Sequence, residues 1–289
     1  MPRPLTCILA ATDLTARSAQ VVTRAVDLAR SSGAELIVVH VLADGRRPLR
    51  AALGGIRARL KLGKPVHASE KRLQQIVRQA GSDLGRPVGY RIRRGPVETT
   101  LAELAREDDA ALIIMGLHRE RRIMDVLRLT TMERAVLALD APVLIAHRPV
   151  PGPYRRVLGL TDFLPGSARA LAWAGIVAPG AEFHALHALT LPMGAKLTTE
   201  DPATDAALTR AEQLRVAFLS NGTLPALKDL PEILPGGLHD LLALRLPELG
   251  ADLLTIGTYS GRDPKQLGSY ARDLMRKPPV DLLVVKPGV

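Results

Sequence analysis

The chain has one cysteine among 289 residues, so it can form no internal disulfide. That residue, Cys7, lies in the apolar run Leu5–Ala10 and reads as a small core side chain rather than a nucleophile. Aromatic residues make up only 3% of the chain, which leaves few stacking platforms for nucleic acid. No apolar run approaches the ~18 residues a membrane helix needs. Met1-Pro2-Arg3-Pro4 leads straight into a short strand-like segment rather than a signal core, so a soluble, cytoplasmic protein is expected. The chain also lacks a P-loop, a Gly-x-Ser-x-Gly elbow and a His-Glu-x-x-His helix. With no positioned base and metal clamp, hydrolysis of or transfer from ATP is not expected. What the chain does have is core material: 47% hydrophobic and 24% charged residues, over a length that suits roughly two domains.

Acidic residues are scarce in the first half. Residues 1–150 hold 25 Lys and Arg against 15 Asp and Glu, whereas residues 151–289 hold 14 of each, so the whole formal charge of +10 belongs to the first half. Its densest stretch is Arg46, Arg47, Arg50, Arg57, Arg59, Lys61 and Lys64, interleaved with glycine and proline. This reads as a solvated, turn-rich loop, or as a surface for an acidic protein or nucleic acid.

Two halves of about 140 residues repeat the same order of signals. Each opens with an apolar strand ending in Thr-Asp, Cys7 to Thr12-Asp13 and Val157 to Thr161-Asp162, and a serine follows five residues later, Ser18 and Ser167. A helical stretch comes next, with Val22, Ala25, Val26 and Ala29 stopping at Gly33, and Leu171, Ala172 and Ile176 stopping at Pro179-Gly180. A second strand carries a histidine near its end, His40 before Val41 and His187 before Ala188. Gly95 precedes Gly116, and Gly236 precedes Gly257, by the same 21 residues. The runs into Gly116 and Gly257 are near-continuously apolar, as strands buried on both faces are. Each half closes with a helix, striped by Met132, Ala135, Val136 and Leu139 or by Leu274 and Met275, and a last strand at Val143–Ala146 or Leu282–Val285.

Strands alternating with helices at this rhythm predict an α/β protein of two tandem doubly wound parallel sheets, and if each is five-stranded in the order 3-2-1-4-5, strands 1 and 4 are neighbours where the order reverses. Pro149, Pro151 and Pro153 mark the linker, so the expected domains are 1–148 and 154–289. Ligands of such sheets bind outside the carboxyl ends of the strands where the strand order reverses, which places Asp13 beside Gly116 and Asp162 beside Gly257. An aspartate there can accept from a ribose hydroxyl or an adenine amino group, or simply cap the next helix. A glycine there lets backbone amides approach phosphate. His40 and His187 read as hydrogen-bonding residues at strand ends, and no metal site is expected. Leu191–Asn221, with Leu208, Ala211, Leu214 and Phe218 spaced for a helix ending at Gly222, reads as an ordinary crossover.

The run Asp13-Leu14-Thr15-Ala16-Arg17-Ser18 resembles the opening of a universal stress protein domain, and the second half resembles it too. So does the closing segment Met132-Glu133-Arg134-Ala135-Val136 through Pro142-Val143-Leu144-Ile145. The resemblance implies tandem copies of an adenine-nucleotide-binding fold, paired through their last strands about a pseudo-two-fold, with a further homodimer left open. It also implies a phosphate-wrapping pattern Gly-x-x-Gly, nine residues, Gly-(Ser/Thr), and a backbone contact to adenine at Val41 and Ala188.

The pattern is damaged differently in the two halves. Gly116-Leu117-His118-Arg119 has arginine at the second glycine, and Leu129-Thr130 keeps only the hydroxyl of the last dipeptide. Arg119, Arg121 and Arg122 are left either to meet an anion or to form a plain basic loop. The second half keeps Gly257-Thr258-Tyr259-Ser260-Gly261 and Gly268-Ser269 on a shortened loop, with Ser269 expected as helix N-cap. The resemblance therefore implies a non-enzymatic stress-response or regulatory protein that binds ATP or AMP, more readily in its second half. The rival expectation is a nucleotide-free scaffold whose basic half engages an acidic partner.

Overall fold

A computed structural model of the protein describes residues 3–42, 63–117, 129–147, 152–191, 201–258 and 266–287. Two compact units are present, Leu5–Leu139 and Asp140–Val289. Most of the basic stretch from Arg46, together with Arg119, Arg121, Arg122, Tyr259, Ser260 and Gly261, falls outside the described residues.

In the first unit, strand β1 (Cys7–Ala11) is followed by a short 3-10 turn and helix α1 (Ala19–Ser32), then β2 (Glu35–Leu42) and α2 (Gly63–Leu84). Next come β3 (Gly89–Arg94), α3 (Val97–Glu107), β4 (Leu112–Gly116) and α4 (Thr131–Ala138). Gly63 and Lys64, expected in the basic loop, begin α2 instead. The strands lie parallel in the order β3-β2-β1-β4, with Ala11 opposite Val39 on one side and Met115 on the other. β1 and β4 are buried on both faces because helices cover each side, which is why their sequences show no alternation. Gly33, at φ +76°, ends α1 in the left-handed conformation that costs glycine least. The Arg86 guanidinium then donates to the carbonyl of Ala29, which already accepts from the Gly33 amide, and to that of Gly33, at 2.9 and 3.0 Å, reinforcing the helix end.

The second unit runs β5 (Val143–Ala146), β6 (Arg156–Leu160), α5 (Pro165–Val177), β7 (Glu182–Leu189) and α6 (Pro202–Leu219). It continues with β8 (Glu232–Pro235), α7 (Leu238–Leu249), β9 (Leu253–Gly257), α8 (Ser269–Arg276) and β10 (Asp281–Val285). Its strands order as β8-β7-β6-β9-β10, all parallel, and β5 joins β10 antiparallel with Ile145 opposite Leu282 and Val143 opposite Val284. The resemblance implied this meeting of the two last strands. Buried Asp281 at the start of β10 accepts from the His147 amide at 2.8 Å and the Tyr154 hydroxyl at 2.7 Å, holding both ends of the linker. The crossover helix α6 ends at Leu219 with Ser220 as its cap, earlier than the expected Gly222. Among the described residues no helix is long and apolar enough to cross a membrane.

Candidate functional site

Both halves build the same hydrogen-bonded turn after their first strand, and its residues explain why Thr-Asp and serine recur. In the second half the Phe163 amide donates to Thr161 Oγ1 at 2.8 Å, and Thr161 and Ser167 share a hydrogen bond at 3.0 Å. The Ser167 hydroxyl reaches Asp162 Oδ1 at 2.8 Å. The first half repeats the start of the relay, Leu14 amide to Thr12 at 3.0 Å and Thr12 to Ser18 at 2.7 Å. Leu14 and Phe163 both stand at φ +62°, a conformation that costs a non-glycine residue of order 1 kcal/mol or more. The threonine hydroxyl accepting their amide is what holds the turn, and both side chains are buried beneath it.

This arrangement shows what the aspartate oxygens do within the fold. Asp13 is exposed, and its Oδ1 accepts from the Thr15 amide and hydroxyl at 2.9 and 2.7 Å. Asp162 Oδ1 accepts from the Leu164 amide at 3.0 Å as well as from Ser167. One oxygen of each is thus committed to shaping its own turn, while the helix N-cap positions fall to other residues, Thr15 and Ser18 in the first half and Leu164 in the second. Asp162 Oδ2 makes no hydrogen bond among the described residues.

The histidines sit as strand-end residues should. His40 Nδ1 donates to the Thr12 carbonyl and His187 Nδ1 to the Thr161 carbonyl, each at 2.8 Å, tying the second strand to the turn after the first. The His187 ring also lies against Phe163 with centroids 4.8 Å apart.

In the second unit these elements surround a cleft of about 200 Å³ at the carboxyl ends of β6, β7 and β9. Leu160, Leu186 and Ile256 line it as apolar wall; Asp162, Ala188, Gly257, Gly268 and Ser269, all singled out from sequence, lie together around it. Gly257 leaves little room for a side chain there: a Cβ would come within 3.2 Å of the Gly166 backbone at the start of α5, which would have to give by a few tenths of an ångström. Sequence reasoning did not single out Leu238 and Tyr270, which also line the cleft, and it gave His187 and Thr258, which line it too, no role in a site. The signal for Tyr270 was present: an aromatic beside Gly-Ser in an aromatic-poor chain.

The helix starts that flank the two sites differ in what they leave free. In the first half Thr130 caps α4 through a reciprocal box: its hydroxyl accepts from the Glu133 amide at 3.1 Å, and its own amide donates to the fully buried Glu133 carboxylate at 2.6 Å. In the second half the N-cap is Gly268, not Ser269 as expected, because α8 begins one residue early. Gly268 offers no cap, and the Ser269 hydroxyl makes no hydrogen bond among the described residues. The first turn of α8 therefore faces the cleft with donors unspent and the positive end of its dipole. In the first half Gly116 ends β4 next to β1, and Val41 lies near the end of β2, so strand ends come together there as well.

The sequence profile of the universal stress protein family matches residues 6–147 and again 153–286. The chain belongs to the universal stress protein family. Among solved structures it is similar to a universal stress protein from Archaeoglobus fulgidus DSM 4304, with 20% identity, TM-score 0.70, and 99% of this chain and 97% of that one covered. A functionally unknown protein from Pseudomonas aeruginosa PAO1 aligns at 18% identity and TM-score 0.63 over 98% of this chain and 93% of its own. At these identities the likeness speaks for the fold. A universal stress protein in complex with cAMP matches half of this chain, at 21% identity, TM-score 0.38 and 98% of its own length. No curated protein sequence matches the chain significantly. The tandem Usp repeat thus accounts for the duplicated Thr-Asp turns and strand-end histidines.

Proposed function

We propose that the second half of this universal stress protein binds an adenine nucleotide, ATP or AMP, and that occupancy rather than turnover is the signal, in a cytoplasmic stress-response role. The observation that carries the reading is the uncapped first turn of α8 opening onto an apolar cleft beside Asp162. Helix N-termini with unspent amides favour phosphate. The cleft volume of about 200 Å³ is below the ~300–1,000 Å³ typical of ligand pockets, which suits a base and sugar inside with phosphate at the mouth. Asp162 Oδ2 is left to accept from a ribose hydroxyl or a base amino group.

Mass spectrometry of small molecules released on denaturation, with calorimetric titration of ATP and AMP, tests this. Adenine nucleotide near one per chain, lost in Asp162→Ala and kept in Asp13→Ala, is the expected result. Phosphate release from ATP should be no faster with the wild-type protein than with Asp162→Ala. An empty protein giving no heat with either nucleotide would favour the scaffold reading, for which the charge excess of residues 1–150 is the supporting observation. Even so, two arginines of the edge strand β3 are already paired, Arg91 with Asp108 at 2.6 Å and Arg93 with Glu107 at 3.4 Å.

A further inference from the structure

The chain holds a single asparagine among its 289 residues, Asn221, and a glycine follows it. The pair stands in the connection between α6 and β8, just beyond the end of the helix at Leu219. The corresponding crossover helix of the first half, α2, runs into Leu84-Gly85-Arg86 instead, with Gly85 at φ +75°, so the amide belongs to the second copy alone.

The turn sets out the parts of an intramolecular acyl transfer. Asn221 Oδ1 accepts from the Thr223 amide at 3.1 Å and from the Thr223 hydroxyl at 2.8 Å. A main-chain amide can donate only to the oxygen, so these bonds also fix which way the side-chain amide points. Both donors draw electron density from Cγ and are placed to hold the negative charge that forms on Oδ1 when a nucleophile adds there. The next main-chain nitrogen is that nucleophile. The Gly222 amide makes no hydrogen bond among the described residues, and glycine has no Cβ to screen it. Gly222 and Thr223 are exposed, and a Cβ built on Gly222 meets nothing within 4 Å, so hydroxide and water reach the turn. Asn221 Nδ2, the leaving group, is likewise without a hydrogen bond among the described residues.

We propose that Asn221 is a site of spontaneous deamidation in the folded protein, with the Gly222 nitrogen as nucleophile and Thr223 as positioning residue. Hydroxide takes the Gly222 amide proton, and the nitrogen adds to Asn221 Cγ. The bond from Cγ to Nδ2 breaks, ammonia leaves with a proton from water, and a cyclic succinimide closes across the two residues. Water then opens either carbonyl, giving aspartate or, where the main-chain carbonyl is attacked, a β-linked isoaspartate. Nothing is oxidised or reduced; the net change is one water in and one ammonia out. Either product adds a negative charge to a half that holds 14 basic and 14 acidic residues, next to the C-terminal end of α6, where the helix dipole disfavours it. The isoaspartate also inserts a carbon into a main chain held on both sides of the turn, by Asn221 N to the Phe218 carbonyl at 3.1 Å and Leu224 N to the Asn221 carbonyl at 3.3 Å.

The test is timed incubation of the full chain near neutrality and in mild alkali, folded and in urea, followed by intact mass and peptide mapping. Circular dichroism serves as the check on folding. Wild type should gain the mass difference between an amide and an acid, confined to the peptide carrying Asn221, at a rate that rises with hydroxide. Enzymatic methylation of isoaspartate should label the same peptide. Asn221→Ser should abolish the gain, which separates it from the slower chemistry of the glutamines. Gly222→Ala should slow it several-fold, because a Cβ then screens the attacking nitrogen. Thr223→Val removes the hydroxyl and keeps the main-chain donor; it should slow the reaction in the folded chain and leave the rate in urea unchanged. An Asn221 that stays intact in the folded wild type while it converts in urea overturns the proposal, as does a mass gain that survives Asn221→Ser. A folded-state rate unchanged in Thr223→Val overturns the positioning role of the threonine.

Discussion

A single glycine shows how closely the second-half cleft is built. Adding a Cβ at Gly257 brings it within 3.2 Å of the Gly166 backbone, whereas at Gly116 it meets only the Val21 side chain, at 3.1 Å. A side chain can turn away, whereas the backbone at a helix start has less room to give. Gly257→Ala should therefore cost about 1–3 kcal/mol in urea unfolding, the usual range for forced overpacking, and Gly116→Ala clearly less. A second residue-scale prediction concerns Glu182 at the start of β7. The hydrogen bond from His184 at 3.0 Å, and then that from Lys228, hold its carboxyl below the ordinary carboxylate range. A depressed carboxyl stabilises the fold above its unfolded-state titration and loses that contribution as pH falls through the lower folded value. The thermal midpoint of Glu182→Gln should lie below wild type near neutrality and the gap should close as acidification protonates the carboxyl in the folded state, and a gap independent of pH would sink the idea. Residues of this kind were only partly legible in sequence. Asp162, Ala188, Gly257, Gly268 and Ser269 stood in motifs, but His187, Tyr270 and Leu238 reach the cleft through helix and strand placement, which one-dimensional spacing does not carry.

Among the elements, α4 and α8 are sequence equivalents with opposite economies at their first turn. Thr130 and Glu133 satisfy each other in α4, while Ser269 in α8 has no partner among the described residues. Thr130→Ala should lower unfolding stability by about 1 kcal/mol and leave nucleotide titration unchanged. Ser269→Ala should do the reverse, with little loss of thermal stability and weaker nucleotide binding. Equal destabilisation by both would mean that Ser269 caps its helix after all. Central strands were readable because burial on both faces leaves an uninterrupted apolar run, as in β4 and β9. Edge strands β3 and β8 escaped, since Gly-Tyr-Arg-Ile-Arg-Arg and Glu-Ile-Leu-Pro are short, half-exposed and polar or proline-ended, which protects an edge from further pairing.

Taken as a whole, the chain repeats across residues 6–147 and 153–286, and the last strand of the first copy also takes part in the compact unit formed by the second. The duplicated sequence signals put Val143–Ala146 at the end of the first copy, yet this strand belongs to the unit of Asp140–Val289 and pairs with β10. Its four residues are almost wholly buried. A fragment of residues 140–289 should accordingly stay monomeric longer on concentration than one of residues 152–289, whose β10 would present an uncovered apolar edge. Identical elution of the two fragments across a dilution series would show that β5 does not protect β10. By itself the sequence determined the α/β class, the tandem repeat, the parallel central strands and the Thr-Asp and Gly-Ser positions, because burial periodicity and turn chemistry are local and repeat with the chain. Tertiary structure alone decided which unit receives β5, that one oxygen of each aspartate is spent on its own turn, and that α8 rather than α4 keeps its first donors free. Those outcomes depend on hydrogen-bond partners and strand neighbours far apart in sequence, and a donor can be satisfied only once.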